Sequence, residues 1–194
     1  KIKTDDCFEI IRQVRETYAD IPIGLLLYSN LILKRSIEKF YQDAAKAGVD
    51  SILIADVPLR EADRFIAIAE QTGIKQILIA PPNASDETFA QIGKKSQGYT
   101  YLLGRAGVTG AETAVTIPAS ELIDKLTQYK VAPPLLGFGI STPAQVEDAI
   151  QSGAAGAISG SATVNIIAEN LSQPEVMLEK LKSFVKEMKA ATHK

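Results

Sequence analysis

One cysteine, Cys7, and one histidine, His193, stand in a chain of 194 residues. A single cysteine closes no intrachain disulfide and fits a reducing compartment, so a cytoplasmic location is expected. Cys7 itself reads as a small apolar residue on a helix face rather than a reactive thiol. One histidine in the C-terminal tail removes histidine-based triads and most metal sites, and the sequence holds no metal constellation. Net charge is also scarce: 21 Lys and Arg stand against 23 Asp and Glu, for a formal −2. No basic run exceeds a few residues, so nothing points to nucleic acid or to an anionic membrane surface. No apolar run approaches the ~18 residues of a membrane span. The opening KIKTDDCFEIIRQVRE is charged rather than signal-like. What remains is a chain 46% hydrophobic, enough for one well-cored soluble domain over residues 1–194.

The apolar residues are arranged as a repeat. Cys7, Ile10, Ile11, Val14 and Tyr18 recur at helical spacing, with no initiator methionine and no strand ahead of them. IPIGLLLYSN (Ile21–Asn30) is a continuous apolar run, the mark of a parallel strand buried on both faces. A helix over Ser36–Gly48 follows, then strand 50–58, helix 60–72, strand 75–83 and helix 85–94. Strand 98–103 runs into a glycine-containing loop that reaches Glu112. Helix 118–129, strand 133–139, helix 142–152, strand 154–160, a short helix 161–170 and a terminal helix 174–190 complete the chain. Strand–helix alternation without a linker implies a parallel sheet covered by helices. A (β/α)8 barrel of ~250 residues uses about 31 per unit, so this chain supplies about six of the eight. We expect the first two strands to be the missing ones.

Polar residues at the C-terminal ends of barrel strands are where such folds keep their sites. The stretch PPLLGFGIS, TPAQVEDAIQSG, AAGAISGSA (Pro133–Ala162) places two glycine turns there, around Gly139 and around Gly160-Ser161. Glycine lets backbone approach a ligand, and helix-start N–H groups favour an anion, so two such turns in tandem read as a phosphate cradle. Asp56 is the one carboxylate directly at a strand end. It is either a general acid/base or a turn former ahead of Val57-Pro58. Tyr101 lies within its strand, facing the interior or packed in the core. The loop carrying Arg105, Thr109 and Glu112 is long enough for a lid, or is a plain exposed loop. Acid–base cleavage of a carbon–carbon bond needs two proton-handling groups. The sequence offers Asp56 and no obvious second.

The segments ADVP (Ala55–Pro58), APPN (Ala80–Asn83), GYTYLLGRAGVTGAE, PPLLGFGIS and GAAGAISGSA, in this order, resemble the tryptophan synthase alpha subunit over the whole chain. The resemblance implies a TIM (β/α)8 barrel that cleaves indole-3-glycerol phosphate to indole and glyceraldehyde 3-phosphate. It implies phosphate binding at Gly110, Gly139, Gly160 and Ser161. It also implies an indole and glycerol pocket at Leu26, Tyr28, Leu53, Ala55, Ile79, Phe138 and Ile158. Tyr101 matches a tyrosine beside a catalytic carboxylate, while Arg105 and Thr109 fall in the family's mobile loop. Asn30 and Pro58 match the face that docks a beta subunit, to which the family's pyridoxal phosphate belongs; the chain itself is expected to bring no cofactor. The family's catalytic glutamate on its second strand and aspartate in the following loop have no counterpart here, and Asp56 matches neither. Six strands would leave two apolar edges, so self-association is expected. Two other readings stand beside this lyase: another phosphate-binding barrel acting on a sugar or indole phosphate, and a non-catalytic module that binds phosphate ligands or the beta subunit.

Overall fold

The computed structural model describes residues 2–103, 119–137 and 139–193. Arg105, Thr109, Gly110, Glu112 and Phe138 lie outside these residues. The chain divides into two compact units, Lys1–Ile79 with Lys95–Tyr99, and Ala80–Lys94 with Thr100–Lys194. Each contains parallel strands alternating with helices, as the repeat requires.

The first unit opens with α1 (Thr4–Thr17), then β1 (Gly24–Leu27), the short α2 (Ser29–Leu33), α3 (Ile37–Ala47), β2 (Ser51–Ile54), α4 (Asp63–Thr72) and β3 (Lys75–Ala80). Ser36 caps α3 by accepting from the Lys39 N–H, and Gly48 ends it at φ 91°, a left-handed conformation that glycine adopts without strain. β1 pairs in parallel with β2, and β2 with β3, in the register Leu26–Leu53–Ile77. The core on one side of these strands gathers Phe8, Phe40, Tyr41, Ile52, Ile54 and Phe65, with Leu25 and Leu27 packed against it.

Three expectations change here. The run Ile21–Asn30 is strand only over Gly24–Leu27, because Ser29–Leu33 turns into a helix. β1 is also not buried on both faces: Leu26 is 60% and Tyr28 61% exposed, since only the side bearing Leu25 and Leu27 meets helices. On α1 the buried residues are Phe8 and Ile11; Cys7 is exposed, and so are Ile10, Val14 and Tyr18. Two hydrophobic stripes share that helix, and the core takes the one containing the aromatic ring.

The second unit contains α5 (Asp86–Lys95), β4 (Thr100–Leu103), α6 (Ala119–Gln128), β5 (Pro134–Gly137), α7 (Pro143–Gln151), β6 (Gly156–Ala157), α8 (Ser161–Glu169) and α9 (Pro174–Ala190). β4 pairs with β5 and β5 with β6, all parallel, in the registers Tyr101–Leu135 and Leu135–Gly156. Leu136 and Ala157 pack on Ile140, Val146, Met188 and Ala191. β6 is far shorter than the expected strand: its ladder runs only from the Ala155 N–H on the Pro134 carbonyl to the Ile158 N–H on the Leu136 carbonyl.

Candidate functional site

Alternation along a strand sends successive side chains to opposite faces. In the first unit Leu25, Leu27, Ile52 and Ile54 go to the helices, which leaves Leu26, Tyr28, Leu53, Ala55, Ile77 and Ile79 on the other face. Five of the residues expected to line the indole pocket therefore share one wall. Leu26, Leu53 and Ile77 form one layer by register, with Leu53 buried at 2% exposure. Tyr28, Ala55 and Ile79 follow one step nearer the strand ends. The Ala55 N–H continues the ladder to the Leu27 carbonyl at 2.9 Å. This wall is apolar and partly open, the character of a surface that accepts a flat hydrophobic ring.

At the end of that wall the structure decides between the two readings of Asp56. Its carboxylate accepts the Ser29 N–H at 2.7 Å on one oxygen and the Ser29 hydroxyl at 2.9 Å on the other. The Ser29 N–H, foremost, holds the Asp56 carboxyl below its ordinary 3.8, and the hydroxyl adds to this. Asp56 therefore stays ionised and occupied at neutral pH, a clasp between the ends of β1 and β2 rather than a proton donor. Asn30 and Pro58 stand exposed at the same end.

In the second unit Leu136 and Ala157 go to the helices, so Tyr101, Leu135, Gly137, Gly156 and Ile158 share the opposite face. Tyr101 lies across β5 so closely that a Cβ on Gly137 would stand 2.3 Å from its ring carbon and its phenol oxygen. Beyond the strand ends come the glycine turns. Gly139 has φ +86°, and a Cβ there or on Gly160 would meet nothing within 4 Å among the described residues. The backbone at both turns is thus open to a ligand.

The helix starts differ in a way the sequence reading missed. α7 caps itself: Thr142 accepts the Gln145 N–H, while the Gln145 carboxamide oxygen accepts from the Ser141 N–H at 2.8 Å and the Thr142 N–H at 3.1 Å. Those donors are spent within the helix. The pattern Thr142-Pro143-Ala144-Gln145 is a capping box and could have been read as such. α8 starts at Gly160 with no side-chain cap, which leaves first-turn N–H groups at Ser161 and after it for an anion. The Ser159 hydroxyl donates to the Ile140 carbonyl at 2.7 Å and so joins the two turns. No sequence signal marked that bond. Among the described residues no group of three or more His, Cys, Asp or Glu is placed to hold a metal ion. None of their helices is long and apolar enough to cross a membrane.

Parallel βα units with glycine turns at the strand ends are the pattern of the (β/α)8 class. The tryptophan synthase alpha chain family model matches residues 2–193. The tryptophan synthase alpha chain of Vibrio parahaemolyticus is 58% identical over 190 residues, which cover 98% of this chain and 71% of the relative. That of Francisella tularensis is 58% identical over 191 residues, with the same coverage. The fold superposes on a chain of the Pyrococcus furiosus tryptophan synthase complex with a TM-score of 0.82 and 31% identity, over 97% of this chain and 74% of that one. The Legionella pneumophila alpha chain gives 0.82 and 29% identity, over 98% and 70%. This chain belongs to the tryptophan synthase alpha chain family, lyases of tryptophan biosynthesis built on a TIM barrel, and six parallel strands lie among its described residues.

Proposed function

We propose that this chain binds the phosphate of indole-3-glycerol phosphate through backbone donors of the second unit. It does so without cleaving the substrate unaided. The open turn pair carries the reading: Gly139 in a left-handed conformation, Gly160 with free space beside it, and the uncapped start of α8 at Ser161. Gly110 is assigned to the same phosphate by resemblance, and Phe138 to the ring pocket. Leu26, Tyr28, Leu53, Ala55 and Ile79 in the first unit and Ile158 in the second are assigned to indole and glycerol contacts by resemblance, and Tyr101 to a supporting role. Arg105 and Thr109 match the family's mobile loop by resemblance. Cleavage of the carbon–carbon bond needs an acid and a base. Asp56, its carboxylate held by the Ser29 N–H and hydroxyl, is not in a state to donate a proton.

A beta subunit is the proposed protein partner, met through Asn30 and Pro58, and pyridoxal phosphate is that partner's cofactor. The family neighbour from Pyrococcus furiosus is described in an α2β2 complex with mutual activation. Exposed Ile10, Val14 and Leu26 in one unit and Leu171, Leu178 and Val185 in the other favour self-association of the isolated chain. The single exposed thiol fits a cytoplasmic protein.

Two assays at high protein concentration test this together: calorimetric binding of indole-3-glycerol phosphate, and indole release from it. Binding without release is expected. Release at the rate of a complete alpha chain would overturn the non-cleaving reading, and absence of binding would overturn the site. Activation of a beta subunit without indole production would favour the binding-module reading over the lyase for this chain.

A further inference from the structure

We propose that Ser159 is a positioning residue of the phosphate site, one that sets the spacing between the Gly139 turn and the start of α8. The proposal deepens the phosphate reading above and rests on it. The β5–β6 ladder ends with the Ile158 N–H on the Leu136 carbonyl at 2.8 Å. Past that point both chains leave the sheet into glycine turns, where backbone freedom is greatest. Among the described residues one hydrogen bond joins the two turns beyond the ladder, from the Ser159 hydroxyl to the Ile140 carbonyl at 2.7 Å. Each end of this strap is anchored. Ile140 is buried with Val146 and Met188, and the Ser159 carbonyl accepts the Thr163 hydroxyl of α8 at 3.3 Å. The strap thus runs from the buried cluster, through Ser159, into the first turn of α8.

Its chemistry separates it from the binding groups. A phosphate needs donors, and the one proton on the Ser159 hydroxyl is already given to Ile140. Ser159 therefore acts on a phosphate through the turns it holds. Preorganised donors lose much of their value once displaced by about half an ångström. Removing the hydroxyl also strands the Ile140 carbonyl, which gives the turn a reason to move.

The test titrates glycerol 3-phosphate and, separately, indole into the intact chain and its variants by calorimetry. Ser159→Ala should raise the dissociation constant for glycerol 3-phosphate by roughly five- to tenfold, the loss of one hydrogen bond. It should leave indole binding unchanged. Ser159→Thr, which keeps the hydroxyl, should return toward wild type. Ser159→Cys, which keeps the volume with a weak donor, should fall between them and carries the test if the alanine variant does not fold. Ser152→Ala removes a comparable hydroxyl bond, to the Asp148 carbonyl at 2.7 Å, and should change neither affinity. Equal glycerol 3-phosphate affinity in wild type and Ser159→Ala overturns the positioning role while leaving the phosphate reading intact. Equal weakening of both probes, or by Ser152→Ala as well, reduces Ser159 to a general stabilising contact and overturns it too. A wild type that binds indole but no glycerol 3-phosphate overturns the phosphate reading and the Ser159 role with it.

Discussion

Gly137 is the position where a single methyl group should be felt most directly. A Cβ there would lie 2.3 Å from the Tyr101 ring carbon and phenol oxygen and 2.8 Å from the neighbouring ring carbon. Ordinary carbon contacts begin near 3.5 Å, so Gly137→Ala forces the ring back by about an ångström. Gly137 is buried in β5, paired with Leu103 of β4, so the strand has little room to yield. Overpacking of this kind costs about 1–3 kcal/mol. Tyr101→Ala alone removes a half-buried ring, worth roughly 2 kcal/mol, about half the cost of a fully buried aromatic. With the ring gone the three nearest contacts of the methyl group are removed, so the double variant should be about as stable as Tyr101→Ala alone. Urea unfolding of the four proteins reads this as a coupling of about 2 kcal/mol, or a midpoint difference near 1 M for a slope of about 2 kcal/mol/M. An additive cycle, with the double variant losing the sum of both single effects, would refute the contact as the cause.

Tyr41→Phe should destabilise the chain by about 1–3 kcal/mol, because the buried Gln76 carboxamide oxygen loses its phenol donor. Tyr41→Phe combined with Gln76→Leu should recover part of that loss in the same thermal melts. Arg15 donates to the carbonyls of Ala19 and Ile21 at 2.7 Å and of Gly48 at 2.6 Å, and to the Asp50 carboxylate at 2.7 Å. An ammonium group cannot span these, so Arg15→Lys should lower stability by about 1–2 kcal/mol in urea titration. Asp56 is depressed below 3.8 when folded, so its contribution is present above that value and is lost as pH falls through the lower folded one. The stability difference between wild type and Asp56→Asn should therefore shrink between about pH 5 and pH 2; a constant difference would show that ionisation plays no part. Gly139→Ala places a side chain at φ +86° and should weaken glycerol 3-phosphate binding while costing about 1 kcal/mol of stability.

The alternation of strands and helices was legible because apolar runs and helical periodicity depend on local sequence alone. Helix ends at Gly48 and Gly73 were legible for the same reason, since only glycine takes the left-handed turn cheaply. Burial was less so. Ile10 and Val14 share the spacing of a core stripe with Ile11, and only packing shows that Ile11 is buried with Phe8 while they are not. The glycine turns were visible as motifs, but the distribution of donors between them was not. Whether an N–H is free depends on Gln145 folding back over α7, and on nothing comparable happening at Gly160. Asp56 shows the same limit: its position was readable, while its engagement by Ser29, 27 residues away, required the register of β1 against β2.

The brevity of β6 has a consequence for how this fold can change. Two paired residues, Gly156 and Ala157, separate the buried Ala154 from the turn at Gly160. Such a strand works as a ruler with few marks. Inserting or deleting one residue would shift the α8 start by ~3.3 Å along the strand and carry Ile158 to the opposite face of the sheet. The Ser159 bond to the Ile140 carbonyl restrains the few residues between that could absorb the error. Point substitutions in the turns can tune affinity by degrees, whereas changes of length in this segment are all or nothing. Tolerated insertions should therefore gather elsewhere, and the distance from Ala154 to Ser161 should behave as a fixed dimension of the protein.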